Sequence, residues 1–292
     1  MYDTMTNFNH TTGKVILAGA GPGDPELVTL KTVRHLQQAD VVLVDRLVSE
    51  ELLKQHVNEK AEIIYVGKQC TRGSSTPQET INQLMVEFAL QGKNVVRLKG
   101  GDVSIFSNIL DELQTLVQHN IPYEIVPGIT AALGAAAYSG IPLTARGYTT
   151  AVRFVTSYKS DIITEAYWKE LSQTDDTLVF YMSSETLDDV VANLVKNNIA
   201  ADKLLAVIEQ ATTPLQNVHV SGLYEYEQSL KGKQFISPSL VIIGKVVALR
   251  EQFNWLDNNH SDEHYFKPLA KLYTAVPGSE NADKTTKHVS RA

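Results

Sequence analysis

The sequence of 292 residues contains a single cysteine, Cys70, and no long apolar run. One cysteine excludes an internal disulfide and is typical of a protein from a reducing compartment such as the cytoplasm. No apolar stretch approaches the length that spans a membrane. The first twelve residues lack the basic start and apolar centre of a signal peptide. These absences predict a cytoplasmic protein that does not interact with a membrane.

Basic charge is also scarce in this chain. Lys and Arg number 26 against 33 Asp and Glu, which gives a net charge of −7 at pH 7. An acidic balance does not favour a nucleic-acid-binding surface. The eight histidines show no metal-ligand spacing. We therefore expect neither a nucleic-acid partner nor a bound metal.

The most informative segment present is VILAGAGPGDPEL, which begins at Val15. Its first four residues predict a buried strand, and the glycines that follow permit a tight turn close to a ligand. Asp24 then occupies the position of a helix N-cap, and Pro25 occupies the first helical position. A strand, a glycine loop and a helix start in this order predict a ligand-binding turn.

A dinucleotide is the first candidate ligand for this turn. Gly19-x-Gly21 opens a G-x-G-x-x-G fingerprint, and Asp45 stands where a ribose-binding acid is expected. However, Asp24 occupies the position of the third glycine, and the helix begins too late to aim its first N–H groups at a pyrophosphate. A carboxylate beside the glycines would also repel phosphate. The spacing therefore favours a different ligand.

Apolar strands alternate with amphipathic helices along most of the chain, which predicts an α/β fold with mostly parallel or mixed sheets. We expect a flexible arm over 1–13, two α/β domains at 14–128 and 129–257 with a cofactor cleft between them, and a disordered tail over 258–292. The predicted strands are Val15–Ala18, Val41–Val44, Glu62–Val66, Asn94–Leu98, Tyr123–Val126, Arg153–Thr156, Thr177–Tyr181, Leu204–Ile208 and Ser239–Ile243. The predicted helices are Pro25–Gln38, Glu50–His56, Pro77–Gln91, Ile109–His119, Ala131–Ser139, Trp168–Ser172, Thr186–Asn197 and Ser221–Leu230.

Five consecutive predicted strands end in glycines, acids or bases. Ligands of open α/β sheets bind at the carboxyl ends of the strands, so these ends predict the site. The segments concerned are GAGPGDP from Gly19, DRLVS from Asp45, GK from Gly67, KGGD from Lys99 and PGITAA from Pro127.

These segments, together with YSGIPLT from Tyr138 and VVALR from Val246, resemble the tetrapyrrole methylases over residues 14–255. Enzymes of that family move a methyl group from S-adenosylmethionine to a tetrapyrrole ring, leaving S-adenosylhomocysteine. The resemblance implies two successive C-methylations of uroporphyrinogen III, through precorrin-1 to precorrin-2, at the branch toward sirohaem, cobalamin or haem d1. It also implies a homodimer.

The resemblance implies roles for individual residues. Asp45 matches the family's proposed proton acceptor, and Lys68 matches its proposed proton donor. Arg46 and Arg146 are expected to bind substrate carboxylates, because guanidinium and carboxylate pair in a bidentate fork. The expected cofactor-binding residues are Pro22, Gly100, Gly101, Asp102, Ile105, Thr130, Ala131, Met182 and Ala211.

Several of these residues have a purely structural alternative. Asp45 and Thr130 could cap helices, Met182 could fill the core, and Lys68 could be a solvated surface lysine. The sequence also departs from the family pattern, because the loop at 103–109 lacks the usual proline, glycines and arginine. Ala211 is a second departure, because the family often has a glycine at this position. Two other functions stay open, namely methylation of a later precorrin and binding of a tetrapyrrole without catalysis.

Overall fold

The computed structural model describes residues 12–67, 76–157 and 163–266, whose strands form two five-stranded sheets. The strands are β1 Val15–Gly19, β2 Val41–Val44, β3 Glu62–Tyr65, β4 Val95–Lys99, β5 Tyr123–Val126, β6 Val152–Thr156, β7 Thr177–Tyr181, β8 Leu204–Glu209, β9 Asn217–Gly222 and β10 Ser239–Gly244. The α-helices are α1 Leu30–Gln37, α2 Glu50–His56, α3 Gln78–Leu90, α4 Ile109–Gln118, α5 Ala131–Ser139, α6 Glu165–Gln173, α7 Leu187–Lys196, α8 Tyr226–Ser229 and α9 Arg250–Phe253.

The first sheet is parallel throughout and has the strand order β3-β2-β4-β1-β5. Successive residues of its strands face opposite sides, so Ile16 and Val42 belong to the core under α1 and α2. Leu17 and Leu43 belong to the core under α3 and α4. Because both faces are covered, the inner strands β1 and β2 are fully buried and read as continuous apolar runs.

The strand order places a crevice at the carboxyl end of the first sheet. β1 continues through α1 to β2 on one side of the sheet, whereas its neighbour β4 continues through α4 to β5 on the other side. The helices that follow β1 and β4 therefore cover opposite faces of the sheet. Such a switch point is where open α/β sheets bind ligands.

The second sheet is mixed, with the order β6-β7-β10-β8-β9. β6 and β7 are parallel, and the other neighbouring pairs are antiparallel. Small residues of α5, such as Ala132 and Ala135, pack on one face. Trp168 of α6 and Leu194 of α7 pack on the other. The predicted class, two α/β units with parallel and mixed sheets, is confirmed.

Two predicted helices differ from the structure. The helix expected at 25–38 is a 3-10 turn, Pro25–Leu27, followed by α1, because the Thr29 side chain provides a second N-cap by accepting from the Thr32 N–H. The helix expected at 221–230 is wrong over its first residues. Those residues end β9, whose antiparallel ladder with β8 satisfies their backbone groups.

The expected disorder does not begin at residue 258. The Asn258 side chain accepts from the Val218 N–H and donates to the Val218 carbonyl, each at 2.9 Å. The His260 N–H donates to Asn217 Oδ1 at 2.8 Å. β9 is an edge strand with backbone groups free on its outer side, and residues 258–260 satisfy some of them.

A buried charge cluster ties α4 to the carboxyl end of β4. Arg97 Nε lies 3.1 Å from Glu112 Oε1, and Lys99 Nζ lies 2.8 Å from Glu112 Oε2. All three side chains are almost fully buried. Burial lowers the pKa of Lys99, and the attraction of Glu112 opposes that shift. The cluster lies in the strand that leads directly into the Gly100-Gly101-Asp102 loop.

None of the helices within the described ranges has the length and apolar character needed to cross a bilayer.

We predict that Glu112→Gln lowers the free energy of unfolding by about 3–5 kcal/mol, because it leaves two buried cations without a counter-charge. Urea unfolding measures the change. Glu170→Gln is the matched control, since Glu170 pairs with Arg153 while its side chain is more than half exposed. That control should lose less than about 1 kcal/mol. Equal losses in the two variants would contradict the role of the cluster.

Candidate functional site

Three loops meet at the carboxyl end of the first sheet, and each brings a glycine to the meeting point. The backbones of Gly21 and Gly101 exchange two hydrogen bonds of 3.1 and 2.7 Å. A β-carbon on Gly19 would lie 2.7 Å from both the Gly101 oxygen and the Gly128 Cα, and one on Gly128 would overlap the same oxygen. The missing side chains let the loops after β1, β4 and β5 pack backbone against backbone.

Asp102 joins the loop after β4 to the loop after β5. Its Oδ2 accepts from the Gly128 N–H at 2.9 Å, and its Oδ1 accepts from the Ser104 N–H at 2.8 Å. Burial alone would raise the pKa of Asp102, but the hydrogen bonds from Ser104 and Gly128 outweigh it and lower the pKa. The carboxylate is therefore ionised at neutral pH.

The loop after β1 also contacts the second sheet. The Asp24 N–H donates to Thr212 Oγ1 at 3.1 Å, and the Tyr138 hydroxyl donates to Asp24 Oδ2 at 2.6 Å. Burial and the bond to Asp24 raise the pKa of Tyr138 to about 12. A β-carbon on Gly134 of α5 would lie only 2.6 Å from Pro22 Cγ. The small-residue helix thus lets the first loop approach the second unit closely.

Tyr181, at the end of β7, connects the second sheet to the start of α5. Its hydroxyl lies 2.7 Å from Thr130 Oγ1 and accepts from the Ala132 N–H at 3.0 Å. Thr130 occupies the N-cap position of α5, yet its side chain makes no capping bond to the helix. The Tyr181 ring lies 5.0 Å from Phe106 and 5.8 Å from Phe154, between ring centroids. A cluster of three aromatic rings therefore joins the loop after β4 to the ends of β6 and β7.

Met182 and Phe106 are exposed residues in an unusual backbone conformation. Met182 is half exposed with φ of 54°, and Phe106 is 42% exposed with φ of 49°. Bulky residues rarely adopt positive φ, and such strain concentrates at functional sites. Met182 does not fill the core, so that alternative is wrong.

The structure brings the expected cofactor residues together from both sheets. Gly23 contacts the loop that contains Ala211, and Gly101 lies beside the Ala131 N–H. Ile105 follows Asp102 in the loop that carries Phe106 to Tyr181. We call the space between these loops the interdomain cleft. The residues around it are Pro22, Gly100, Gly101, Asp102, Ile105, Thr130, Ala131, Met182 and Ala211.

Asp45 lies at the end of β2, beside β4. Its N–H donates to the Leu98 carbonyl at 2.9 Å, and its carboxylate accepts from the adjacent Arg46 N–H at 2.9 Å. Ser49, rather than Asp45, supplies the side-chain cap of α2 by accepting from the Leu52 N–H. The helix-cap alternative for Asp45 is therefore wrong. Arg46 shares this half-buried loop.

Two expected residues, Lys68 and Arg146, remain. Lys68 lies outside the described residues. Arg146 lies in the segment between α5 and β6. This segment leads to the start of β6, where the Ala151 carbonyl accepts from the N–H of Thr177, the first residue of β7. Met182 follows the other end of β7, about 15 Å away by the rise of a strand. No contact joins Arg146 to the cleft residues within the described part of the chain, and its substrate role stays a prediction.

Tyr181, Tyr138 and Phe106 were not predicted as site residues. The rule that strand ends form the site points to Tyr181, since it ends a predicted strand. Tyr138 begins one of the segments that resemble the family, but its contact with Asp24 has no local signal, because the two residues are 114 positions apart in sequence. Only the folded chain reveals such a contact.

The cleft offers a ligand both apolar side chains and polar groups that have no partner. Phe106, Tyr181 and Met182 lie beside it. Thr156 ends β6 and Ser183 follows the end of β7, and their buried hydroxyls have no hydrogen-bond partner. Unpartnered buried hydroxyls are costly unless a ligand or water satisfies them. Among the described residues, no three His, Cys, Asp or Glu side chains form a group that could hold a metal.

Residues 14–227 match the model of the tetrapyrrole (corrin/porphyrin) methylases. The chain therefore belongs to this family, and the resemblance read from the strand ends is confirmed. It is 44% identical over 259 residues to the siroheme synthase of Vesicomyosocius okutanii, covering 87% of this chain and 55% of that protein. It is 46% identical over 244 residues to the siroheme synthase of Saccharophagus degradans, covering 84% and 53%. The chain thus spans about half the length of these curated relatives.

Several solved structures have the same fold as this chain, and the match covers nearly the whole length of each solved chain. A uroporphyrin-III C-methyltransferase from Thermus thermophilus superposes with a TM-score of 0.69 at 33% identity, covering 84% of this chain and 98% of that one. The Thermus thermophilus enzyme has also been solved with S-adenosylhomocysteine, at a TM-score of 0.65 and 33% identity, covering 80% and 93%. A cobalt precorrin-4 methyltransferase has a TM-score of 0.71 at 26% identity, covering 82% and 96%.

We predict that Gly128→Ala lowers the free energy of unfolding by more than about 2 kcal/mol, because its β-carbon overlaps the Gly101 backbone in a packed loop junction. Gly147→Ala is the control. Gly147 has φ of 84° and no neighbour within 4 Å of a β-carbon, so only backbone strain of about 1–2 kcal/mol applies. Urea unfolding separates the two, and a cost for Gly128→Ala below that of Gly147→Ala would contradict the close approach.

Proposed function

We propose that this protein is a methyltransferase that uses S-adenosylmethionine to C-methylate uroporphyrinogen III twice, yielding precorrin-2 for sirohaem or cobalamin synthesis. The convergence of nine expected cofactor residues from two sheets on one cleft carries the proposal. The match to the family, and the likeness to a uroporphyrin-III C-methyltransferase over 98% of its length, support it.

The residues around the interdomain cleft suit the proposed cofactor. We propose that the Gly100–Asp102 loop and the Thr130–Ala131 step hold S-adenosylmethionine, with Ile105 and Met182 packing on it. Pro22 and Ala211 close the cleft from opposite units. When bound, S-adenosylmethionine supplies a methyl group on a sulfonium cation, and in-line placement of a carbon nucleophile is the main requirement. A cleft with rigid backbone walls meets that requirement.

Asp45 accounts for the proton that must leave after carbon attack. A pyrrole carbon that gains a methyl group makes the ring cationic until its proton departs, and a carboxylate beside the cleft accepts that proton. Arg46, in the same loop, is placed to pair with a carboxylate of the substrate. The proton-donor role of Lys68 stays part of the proposal.

A homodimer and a cytoplasmic location complete the proposal. Leu133, Phe253 and Trp255 are at least half exposed beside α5, and they give the chain an apolar surface suited to a second copy. We expect light scattering to give about twice the chain mass of 32.3 kDa. A species at the mass of one chain would contradict the dimer.

An assay of the purified protein with uroporphyrinogen III and S-adenosylmethionine tests the function. We expect two methyl groups per tetrapyrrole and the absorbance of the oxidised dimethylated product. Methylation only of an already methylated precorrin would favour a later step of the pathway. Cofactor binding without any methylation would contradict the enzyme and favour a tetrapyrrole-binding relative.

We predict that Asp45→Asn lowers turnover at least 100-fold, because general base catalysis contributes about that factor or more. The dissociation constant for S-adenosylhomocysteine should stay within about threefold of the wild-type value, measured by calorimetry. Asp189→Asn, on the exposed face of α7, is the matched control and should leave both values unchanged. Wild-type turnover in Asp45→Asn would remove Asp45 from the mechanism.

A further inference from the structure

The described chain ends in a segment that lies across the second sheet. We call residues 258–266 the C-terminal strap. Beyond its bonds to β9, the strap is tied to Gln210, whose Nε2 donates to the Glu263 carbonyl at 2.9 Å. Gln210 Oε1 accepts from the Tyr265 N–H at 2.7 Å. Gln210 is fully buried, and Ala211 of the interdomain cleft follows it directly.

Tyr265 carries the strap over to the first unit. Its hydroxyl lies 2.9 Å from the Ser49 hydroxyl, across 216 residues of sequence. The Tyr265 ring packs edge-on against Phe266, whose side chain is only 4% exposed. A buried neighbour restricts the rotamers of Tyr265, so its hydroxyl is held at Ser49. Ser49 ends the loop that begins at Asp45.

This contact lies far from the covalent connection between the two units. The chain leaves the first sheet after β5, at one edge, whereas Ser49 follows β2, three strand positions away. At the usual strand spacing the two connections are about 14 Å apart. Relative motion is the default for two units joined by one covalent connection. Asp24 and Pro22 already join the units at the loop after β1, and the additional contact of Tyr265 with Ser49 beside β2 opposes hinge opening at another position.

We propose that Tyr265 is a positioning residue that holds the Asp45–Ser49 loop against the cofactor loop at 210–213 through Gln210. The inference rests on the proposed function, since it assigns the strap a part in cofactor affinity. In the free protein the strap keeps the cleft in its binding-competent arrangement. Releasing it lowers the competent fraction and weakens apparent affinity by the same factor.

We predict that Tyr265→Phe weakens binding of S-adenosylhomocysteine about three- to tenfold, the effect of one lost hydrogen bond. The KM for S-adenosylmethionine should rise by a similar factor, while kcat at saturation changes less than twofold. Tyr224→Phe is the matched control, because it removes a hydroxyl bond to the Ile199 carbonyl inside the second unit. That control should not change the affinity.

A double-mutant cycle isolates the contact across the cleft. Ser49→Ala also removes the cap of α2, so it has an effect of its own on stability. If the two hydroxyls act together, adding Tyr265→Phe to Ser49→Ala should weaken binding less than twofold further. Additive losses, or an affinity in Tyr265→Phe equal to that of the wild type, would overturn the inference.

Different results would contradict the proposed function and the proposed role of the strap. If the wild-type protein binds no S-adenosylhomocysteine, the proposed function is wrong, and the same cycle measured by urea unfolding still tests the Ser49–Tyr265 contact. If the double variant loses less stability than the sum of the two single variants, the result would support the Ser49–Tyr265 contact. Independent losses would overturn it.

Discussion

The contact among Gly19, Gly101 and Gly128 is the constraint on which the rest of the site depends. Three strand-end loops share a volume in which a single β-carbon would overlap backbone. Their fixed positions decide where Asp102, Thr130 and the first turn of α5 lie. The loop after β1, anchored in this way, then meets the second unit through Asp24 and Pro22.

Polar side chains on the first-sheet side of the glycine contact, and on the side that faces the second unit, hold the three loops in place. On the first-sheet side, the buried Arg97–Glu112–Lys99 cluster ties β4 to α4. On the other side, Tyr181 and Tyr138 each form a hydrogen bond between segments that are distant in sequence. The proposed ligand contacts come from both units, so we expect the cleft to bind well only when the two units are held in a fixed relative position. Preorganisation of this kind spares a ligand the cost of ordering its site.

Much of this arrangement follows from the sequence, because the rules involved are local. Strand, glycine loop and helix cap are encoded within a few residues, and parallel strands bring their carboxyl ends to one edge. The family's strand-end segments supplied the cofactor residues. Asp45 could be located in this way, although its helix-cap alternative was excluded only when Ser49 was seen to cap α2.

The remaining features depend on long-range contacts. β9 was not predicted, because it is short and few of its residues are apolar, so its alternation of apolar and polar residues is weak. Its stability comes from pairing with β8. The strap looked disordered because its residues are polar, and their partners Val218 and Gln210 lie about 40 to 55 residues away. The substrate role of Arg146 stays a prediction, because it lies in the segment before β6 rather than at a strand end.

Hydrogen exchange with and without S-adenosylhomocysteine tests the central claim, that one cleft between the two units binds the cofactor. The account predicts that the ligand slows exchange together at the loops 100–106, 127–132 and 210–213, which belong to both units. Backbone amides at the carboxyl end of α7 and at the start of β3, which are the ends of these elements away from the cleft loops, should not change. Protection confined to one unit, or located away from these loops, would contradict the account.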